Sequence, residues 1–380
     1  MPWMEATPMS LRREFATLAS QARTNISQLC RRYTISRPTG YKWLSRFLME
    51  GEDGMRNRSR RPFSSPFKTD EMIEQAVLRV RDRHSAWGGR KIRWKLLEQG
   101  YIEVPVPSTI TEILRRNGRL SPQEAPKHQP CQRFEYDAPN ELWQMDFKGD
   151  FLIGTRRCYP LTVLDDHSRF SLLLEACSNR RAETVQSHLV MAFKRYGLPY
   201  RILTDNGTPW VSTERYTPLS AWLIRLGIDV FHGRVRHPQT IGKEERFHRT
   251  LKAELISTRS FPDFGDCQHH FSSWRDVYNR ERPHEALGMA TPASRYAIST
   301  RSYPTSLPPI EYGPQDDVRK VQHGGVIYYK GREHWVGKAF LGYPVGVRPT
   351  LTDGLYDVYF CFHKITSIDL KSSTTEPENV

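Results

Sequence analysis

Three acidic residues stand where a charge is costly. Asp146 interrupts the apolar run Trp143-Gln144-Met145-Asp146-Phe147, Asp205 closes Ile202-Leu203-Thr204-Asp205 just before Asn206-Gly207, and Glu245 lies in the first turns of the helix-patterned segment Gly242–Ile256. Clustered carboxylates repel one another and resist burial unless a cation neutralises them. Oxygen ligands of this kind select Mg²⁺, with Mn²⁺ the alternative, and two such ions can clamp the attacking and leaving oxygens of an in-line phosphoryl displacement. Phe247, Leu251 and Leu255 mark the apolar face of the helix. Glu245, His248, Arg249 and Lys252 are expected on another, polar face, where Lys243, Arg246, Arg249 and Lys252 would meet phosphates. Glu244 precedes Glu245 and would point about 100° away from it, so the residues alone leave two candidates for the third ligand.

The surrounding pattern predicts the elements that hold these residues. Strands are expected over Leu142–Lys148, Tyr159–Asp165 and Phe170–Glu175, the first two as neighbours across a turn at Asp150–Arg157. Ala182–Tyr196 and Leu219–Leu226 read as helices, Tyr200–Thr204 and Asp229–His232 as short strands, and Asp266–Glu281 as a further helix. Successive strands followed by alternating helix and strand suit a mixed sheet with helices on both faces, assigned to residues 140–300. Asn206 and Gly207 would shape the turn that aims Asp205, the glycine supplying a positive φ. Asp165-Asp166-His167 reads as a strand-end turn, Trp143 as core, and His237 and Gln239 as loop caps or DNA contacts.

Residues 10–50 read as a helix-turn-helix. Ser36 is its N-cap, Leu44, Phe47 and Leu48 face inward, and Arg37, Thr39, Lys42 and Arg46 face outward as a major-groove surface. Residues 51–69 form a linker whose Arg58, Arg60 and Arg61 would follow a phosphate backbone. A second helical, helix-turn-helix-like unit spans 70–118, with Ser108 capping its third helix, and a Pro- and Gln-rich linker spans 119–139. Short strands with Gly turns over 318–370 predict a small β-barrel.

The formal charge is +14, and residues 1–135 carry 25 Lys/Arg against 14 Asp/Glu. That asymmetry points to a polyanion as partner of the N-terminal third. The six cysteines are scattered without C-x-x-C spacing, which suggests neither a disulfide framework nor a zinc knuckle and fits a reducing cytoplasm. The most apolar stretch, Leu219–Phe231, is interrupted by Arg225 and Asp229 and is too short to span a bilayer.

Trp143–Phe147 (WQMDF), Leu203–Gly207 (LTDNG) and His237–Lys252 (HPQTIGKEERFHRTLK) resemble the three catalytic boxes of the DDE transposase and retroviral integrase superfamily. Within it the chain is most similar to insertion-sequence transposases of the IS481 group. The resemblance runs over roughly residues 10–300, through Ile35–Leu44, Asn57–Pro62, Val163–Phe170 and Tyr278–Tyr296. It implies an RNase H-like catalytic core in which Asp146, Asp205 and Glu245 bind two Mg²⁺ ions. The expected architecture is thus multidomain α+β: helix-turn-helix modules, an RNase H-like mixed α/β core and a C-terminal small β-barrel. It also implies double-stranded DNA as partner, as terminal inverted repeats and as target, with a dimer or tetramer on it and bacterial, nucleoid-associated localisation. The 39 residues between Asp205 and Glu245 exceed the spacing common in the family, so a segment near Pro209–Pro218 is expected to loop out. No His/Cys zinc module precedes the core. The expected activity is cleavage that frees 3′-OH ends and joins them to target DNA. Its rivals are a nuclease without joining activity and a catalytically silent DNA-binding regulator.

Overall fold

The structure is a computed structural model that describes residues 7–58, 68–120, 135–210, 216–232 and 242–371. The chain divides into two compact units, Met1–Lys68 and Thr69–Val380.

The first unit holds α1 (Pro8–Ala19), α2 (Ile26–Arg32) and α3 (Arg37–Glu50), whose N-caps Thr7, Asn25 and Ser36 each accept a backbone N–H. Phe15, Ala19, Leu29 and Cys30 form its core. Helix α3 crosses this core at Gly40, where an added Cβ would lie 2.5 Å from Cys30 Sγ and 3.0 Å from Phe15. That crossing turns Trp43 and Leu44 toward the core, while Leu48, expected inside, is 68% exposed. Periodicity finds an apolar face; it does not see that a missing side chain sets the closest approach.

The second unit begins with α4 (Glu71–Arg83), α5 (Gly89–Glu98) and α6 (Pro107–Arg116), packed through Val77, Ile92, Leu96, Ile110, Ile113 and Leu114. Helix α6 starts from Val106 with Pro107 at its first turn, so Ser108 lies inside the helix and is not its cap.

Next come strands β1 (Leu142–Phe147), β2 (Phe151–Ile153), β3 (Arg156–Asp165) and β4 (Ser171–Cys177), then helix α7 (Ala182–Tyr196). Strand β5 (Arg201–Thr204), helix α8 (Pro218–Arg225), strand β6 (Asp229–His232) and helices α9 (Gly242–Glu254), α10 (Phe264–Arg280) and α11 (Pro292–Arg295) follow. The segment expected to be a plain turn between β1 and β3 holds β2, which pairs with the start of β3. Strand β3 is antiparallel to β1 and β4, whereas β1, β5 and β6 run parallel. Alternation splits the strands between two cores. Trp143, Met145, Leu161 and Val163 pack with Val185, Leu189 and Phe193 of α7; Leu164 and Leu174 pack with Phe247 and Leu251 of α9 and Phe271 and Trp274 of α10.

The C-terminal region corrects the barrel expectation. Strands β7 (Asp317–Lys320), β8 (Val326–Tyr329), β9 (Arg332–Trp335), β10 (Pro344–Pro349), β11 (Leu355–Phe360) and β12 (His363–Asp369) form an open four-stranded sheet, β12-β11-β10-β7, and a separate hairpin, β8-β9. Among the described residues β7 and β12 do not pair, so nothing closes. The sheet covers its apolar face without closure: Val345, Val347, Val358 and Phe360 pack with Ile327, Tyr329 and Phe340, in a core that continues to Tyr216 and α8. Strand count and Gly turns do not distinguish a sheet that closes from one covered by its neighbours.

Candidate active site

The register of the central sheet brings two of the three carboxylates together. Met145 pairs with Thr204 across the parallel strands β1 and β5. The next residues along are Asp146, still in β1, and Asp205, just past the end of β5, which the register brings to the same C-terminal edge of the sheet. Asp205 is held by its own turn, the Gly207 N–H donating to its Oδ1 at 3.0 Å. Gly207 does not adopt the positive φ expected of it; an added Cβ would instead lie 3.0 Å from Asp205 Oδ2. A side chain at this position would crowd the carboxylate, which would have to give by a few tenths of an ångström.

Asp146 points to the α9 side of the sheet, opposite Thr162 of β3. Burial, then the charges of Asp205 and Glu245, push its carboxyl up to about 7. Asp205 and Glu245 therefore both lie within electrostatic reach of Asp146. Glu245 itself is exposed, and Asp205 is half-buried. Among the described residues, no group of three or more His, Cys, Asp or Glu side chains is drawn together closely enough to hold a metal ion as it stands. The donors nevertheless fit Mg²⁺ in kind: all oxygen, all acidic, and with Asp146 under a repulsion that a cation would relieve.

The structure buries most of His248, expected on the polar face of α9, and all of Glu244 beside it. Glu244 is fully buried, because it lies three residues before Phe247 and seven before Leu251 and so shares their face of α9. Its Oε2 lies 3.0 Å from Thr162 Oγ1 and 3.4 Å from His248 Nε2, and the backbone of Leu164 also reaches the carboxyl. Burial, then Asp146, raises its carboxyl well above the usual range. Thr162 Oγ1 also lies 3.0 Å from the Asp146 carbonyl oxygen and 2.8 Å from His248 Nε2. His248 Nδ1 lies 3.8 Å from Asp146 Oδ2, and burial pushes the imidazole down to about 3, keeping it neutral. The i, i+3, i+7 spacing of Glu244, Phe247 and Leu251 was the available signal for the inward turn of Glu244.

Asp165 and Asp166 end β3 as buried anchors. Asp165 accepts from the backbone N–H groups of Asn140 and Ser168 at 2.7 and 2.8 Å. Asp166 accepts from Gln144 Nε2 at 2.7 Å and from the Tyr136 N–H at 3.0 Å, and forms an ion pair with Lys243. Lys243 thus directs its charge inward. Arg246, Arg249 and Lys252 are exposed along α9. In the N-terminal unit Arg37 and Lys42 are exposed, Thr39 sits against the Ser36 cap, Arg46 lies 5.1 Å from the Trp43 ring and Arg58 pairs with Glu50. Arg60, Arg61, His237 and Gln239 lie outside the described residues.

A parallel-edged mixed sheet with helices on both faces and acids at one strand edge defines the integrase-core class of catalytic fold. Residues 137–238 and 226–292 each match the integrase core domain, 11–63 a helix-turn-helix domain, 39–114 a homeodomain-like domain, and 316–376 the IS481 family transposase C-terminal domain. The chain belongs to the IS481 family within the DDE transposase and integrase superfamily.

Among curated relatives, the 31.7 kDa protein of insertion element IS407 from Burkholderia multivorans is 28% identical over 43% of this chain and 58% of its own length. The 39.2 kDa protein of insertion element IS476 from Xanthomonas euvesicatoria is 30% identical over 43% of this chain and 46% of its own. The chain therefore spans about half the length of these relatives. The structure of the HTLV-2 integrase catalytic core domain in complex with magnesium, in its trimeric form, is 17% identical at a TM-score of 0.34, over 42% of this chain and 99% of that one. No helix among the described residues is long and apolar enough to cross a membrane.

Proposed function

We propose that the chain is a metal-dependent DNA strand transferase that cuts at the ends of an insertion element and joins them to target DNA. The observation that supports it best is the β1–β5 register, which sets Asp146 beside Asp205 where α9 carries Glu245. In this reading Asp146, Asp205 and Glu245 hold two Mg²⁺ ions, which would polarise the phosphate and stabilise the attacking and leaving oxygens. The exposed Arg246, Arg249 and Lys252 hold the strand by its phosphates beside that site.

Two displacements follow one another. Water forms a bond to phosphorus as the P–O3′ bond breaks, leaving a 3′-OH on the element end. That hydroxyl then attacks a target phosphodiester, one P–O bond forming as another breaks, so neither an external energy source nor a covalent protein intermediate is needed. The helical units would bind the terminal inverted repeats, Arg37, Lys42 and Arg46 facing a major groove, and a dimer or tetramer would bring two ends together.

The test incubates the protein with its element's end DNA and Mg²⁺, beside Asp146→Asn and Glu245→Gln. Metal-dependent cleavage and joining, lost in both variants, is the expected result. Cleavage without joining would make the chain a nuclease, and tight binding without cleavage a silent DNA-binding regulator.

A further inference from the structure

We propose that Glu244 and Asp166 are positioning residues: two buried polar tethers that fix the first turn of α9 and thereby present Glu245 to Asp146. This rests on the reading of Asp146, Asp205 and Glu245 as the metal-holding set.

The tethers leave α9 from consecutive residues and reach different parts of the sheet. Lys243 is bound to Asp166, both to its carboxylate and, at 3.2 Å, to its carbonyl oxygen. The Asp166 side chain is fully buried, and its Oδ1 also accepts from Gln144, which lies two residues before Asp146 on the same face of β1. Glu244 takes the other direction, to Thr162. Thr162 is the cross-strand partner of Asp146, and its hydroxyl bonds that residue's carbonyl. His248, one turn along α9, sits between Glu244 and Asp146, its ring nitrogens 3.4 Å from Glu244 Oε2 and 3.8 Å from Asp146 Oδ2.

One tether would leave the helix free to rotate about it. Two in different directions fix rotation and translation together, and a slip of one residue would swing Glu245 by about 100°. An aliphatic side chain at position 244 would pack with Phe247 and Leu251 at less cost than a buried acid. The acid's contacts with Thr162 and His248 give that cost a role: they link the glutamate-bearing helix to the strand pair that carries Asp146. Burial and helix periodicity alone leave that link unexplained.

The test uses the full chain with Glu244→Leu, Thr162→Val and Asp166→Ala, and with Glu244→Gln, Thr162→Ser and Asp166→Asn as conservative partners. Mg²⁺ alone is titrated against thermal unfolding, and kcat, KM and end-DNA affinity are measured separately. The disruptive variants should raise the Mg²⁺ midpoint and lower kcat by about 10–100-fold, with DNA affinity unchanged. Glu244→Gln and Thr162→Ser keep a hydrogen-bonding group in place and should stay within about threefold of wild type. Should a disruptive variant fail to fold, its conservative partner and the wild type are compared by hydrogen exchange in α9, where fast exchange throughout the first turn of the wild type would overturn the tether.

A wild-type Mg²⁺ midpoint and kcat in folded disruptive variants would overturn the proposal. So would Glu244→Gln as impaired as Glu244→Leu, because a requirement for the charge would make Glu244 a ligand. A wild-type chain with no Mg²⁺ response would overturn the metal reading and this proposal with it. A normal wild type with unaffected variants overturns the positioning role alone.

Discussion

The two faces of the central sheet are built from alternate residues of the same strands, yet they do different work. Toward α7, Trp143, Met145, Leu161 and Val163 meet Leu189 and Phe193 in a dry core. Toward α9, Gln144, Asp146 and Thr162 meet Lys243, Glu244 and His248 in a buried polar network, with apolar packing resuming only at Leu164, Phe247 and Leu251. The first face stabilises by area removed from water; the second holds charges whose desolvation costs stability. A fold that carries such a site must be secured elsewhere, and here the dry face lies one residue away.

The largest effect should come from the reacting face. Asp146→Asn is expected to lower cleavage by at least about 10²-fold while leaving the metal-free protein as stable as wild type or more so. Gel assays of cleaved ends and urea melts in EDTA would show it, and a destabilised variant would break the contrast between the faces. On the dry face Trp143→Ala should cost about 3–5 kcal/mol by urea denaturation. A cost under about 1 kcal/mol would mean that this core is not what secures the site.

Lys91 of α5 repeats the desolvation test with opposite charge. Burial, then Arg282, pushes its amine down to about 8, well below the usual lysine range. The unfolded chain binds that proton more tightly, so the penalty is full below about pH 8 and lifts as pH rises toward the ordinary lysine value. Lys91→Met should therefore stabilise the protein by about 1–3 kcal/mol at pH 7 and by clearly less at pH 10. A gap that does not change with pH would remove desolvation as its cause. The smallest effect is expected at the turn: Gly207→Ala, crowding Asp205, should lower kcat about 10-fold or less with little change in melting temperature.

The sequence by itself determined most helices and strands of the core, β2 excepted, because their periods are properties of the chain: α7 and β6 match their expected bounds, and in the first unit Ser36 caps α3 as expected. It also singled out Asp146, a carboxylate inside an apolar run, and Asp205, which closes one, while Glu245 was set apart from Glu244 only by its resemblance to the family's third catalytic box. Tertiary structure decided what depends on a second element. It turned Glu244 and His248 inward against Thr162, tied Lys243 to Asp166, and set Gly40 at the closest helix crossing. It also left the C-terminal sheet open, its apolar face covered by the hairpin and by the core around Tyr216. Periodicity identifies which residues share a face. Whether that face meets water, a neighbouring helix or a buried polar partner depends on long-range packing that no local pattern encodes.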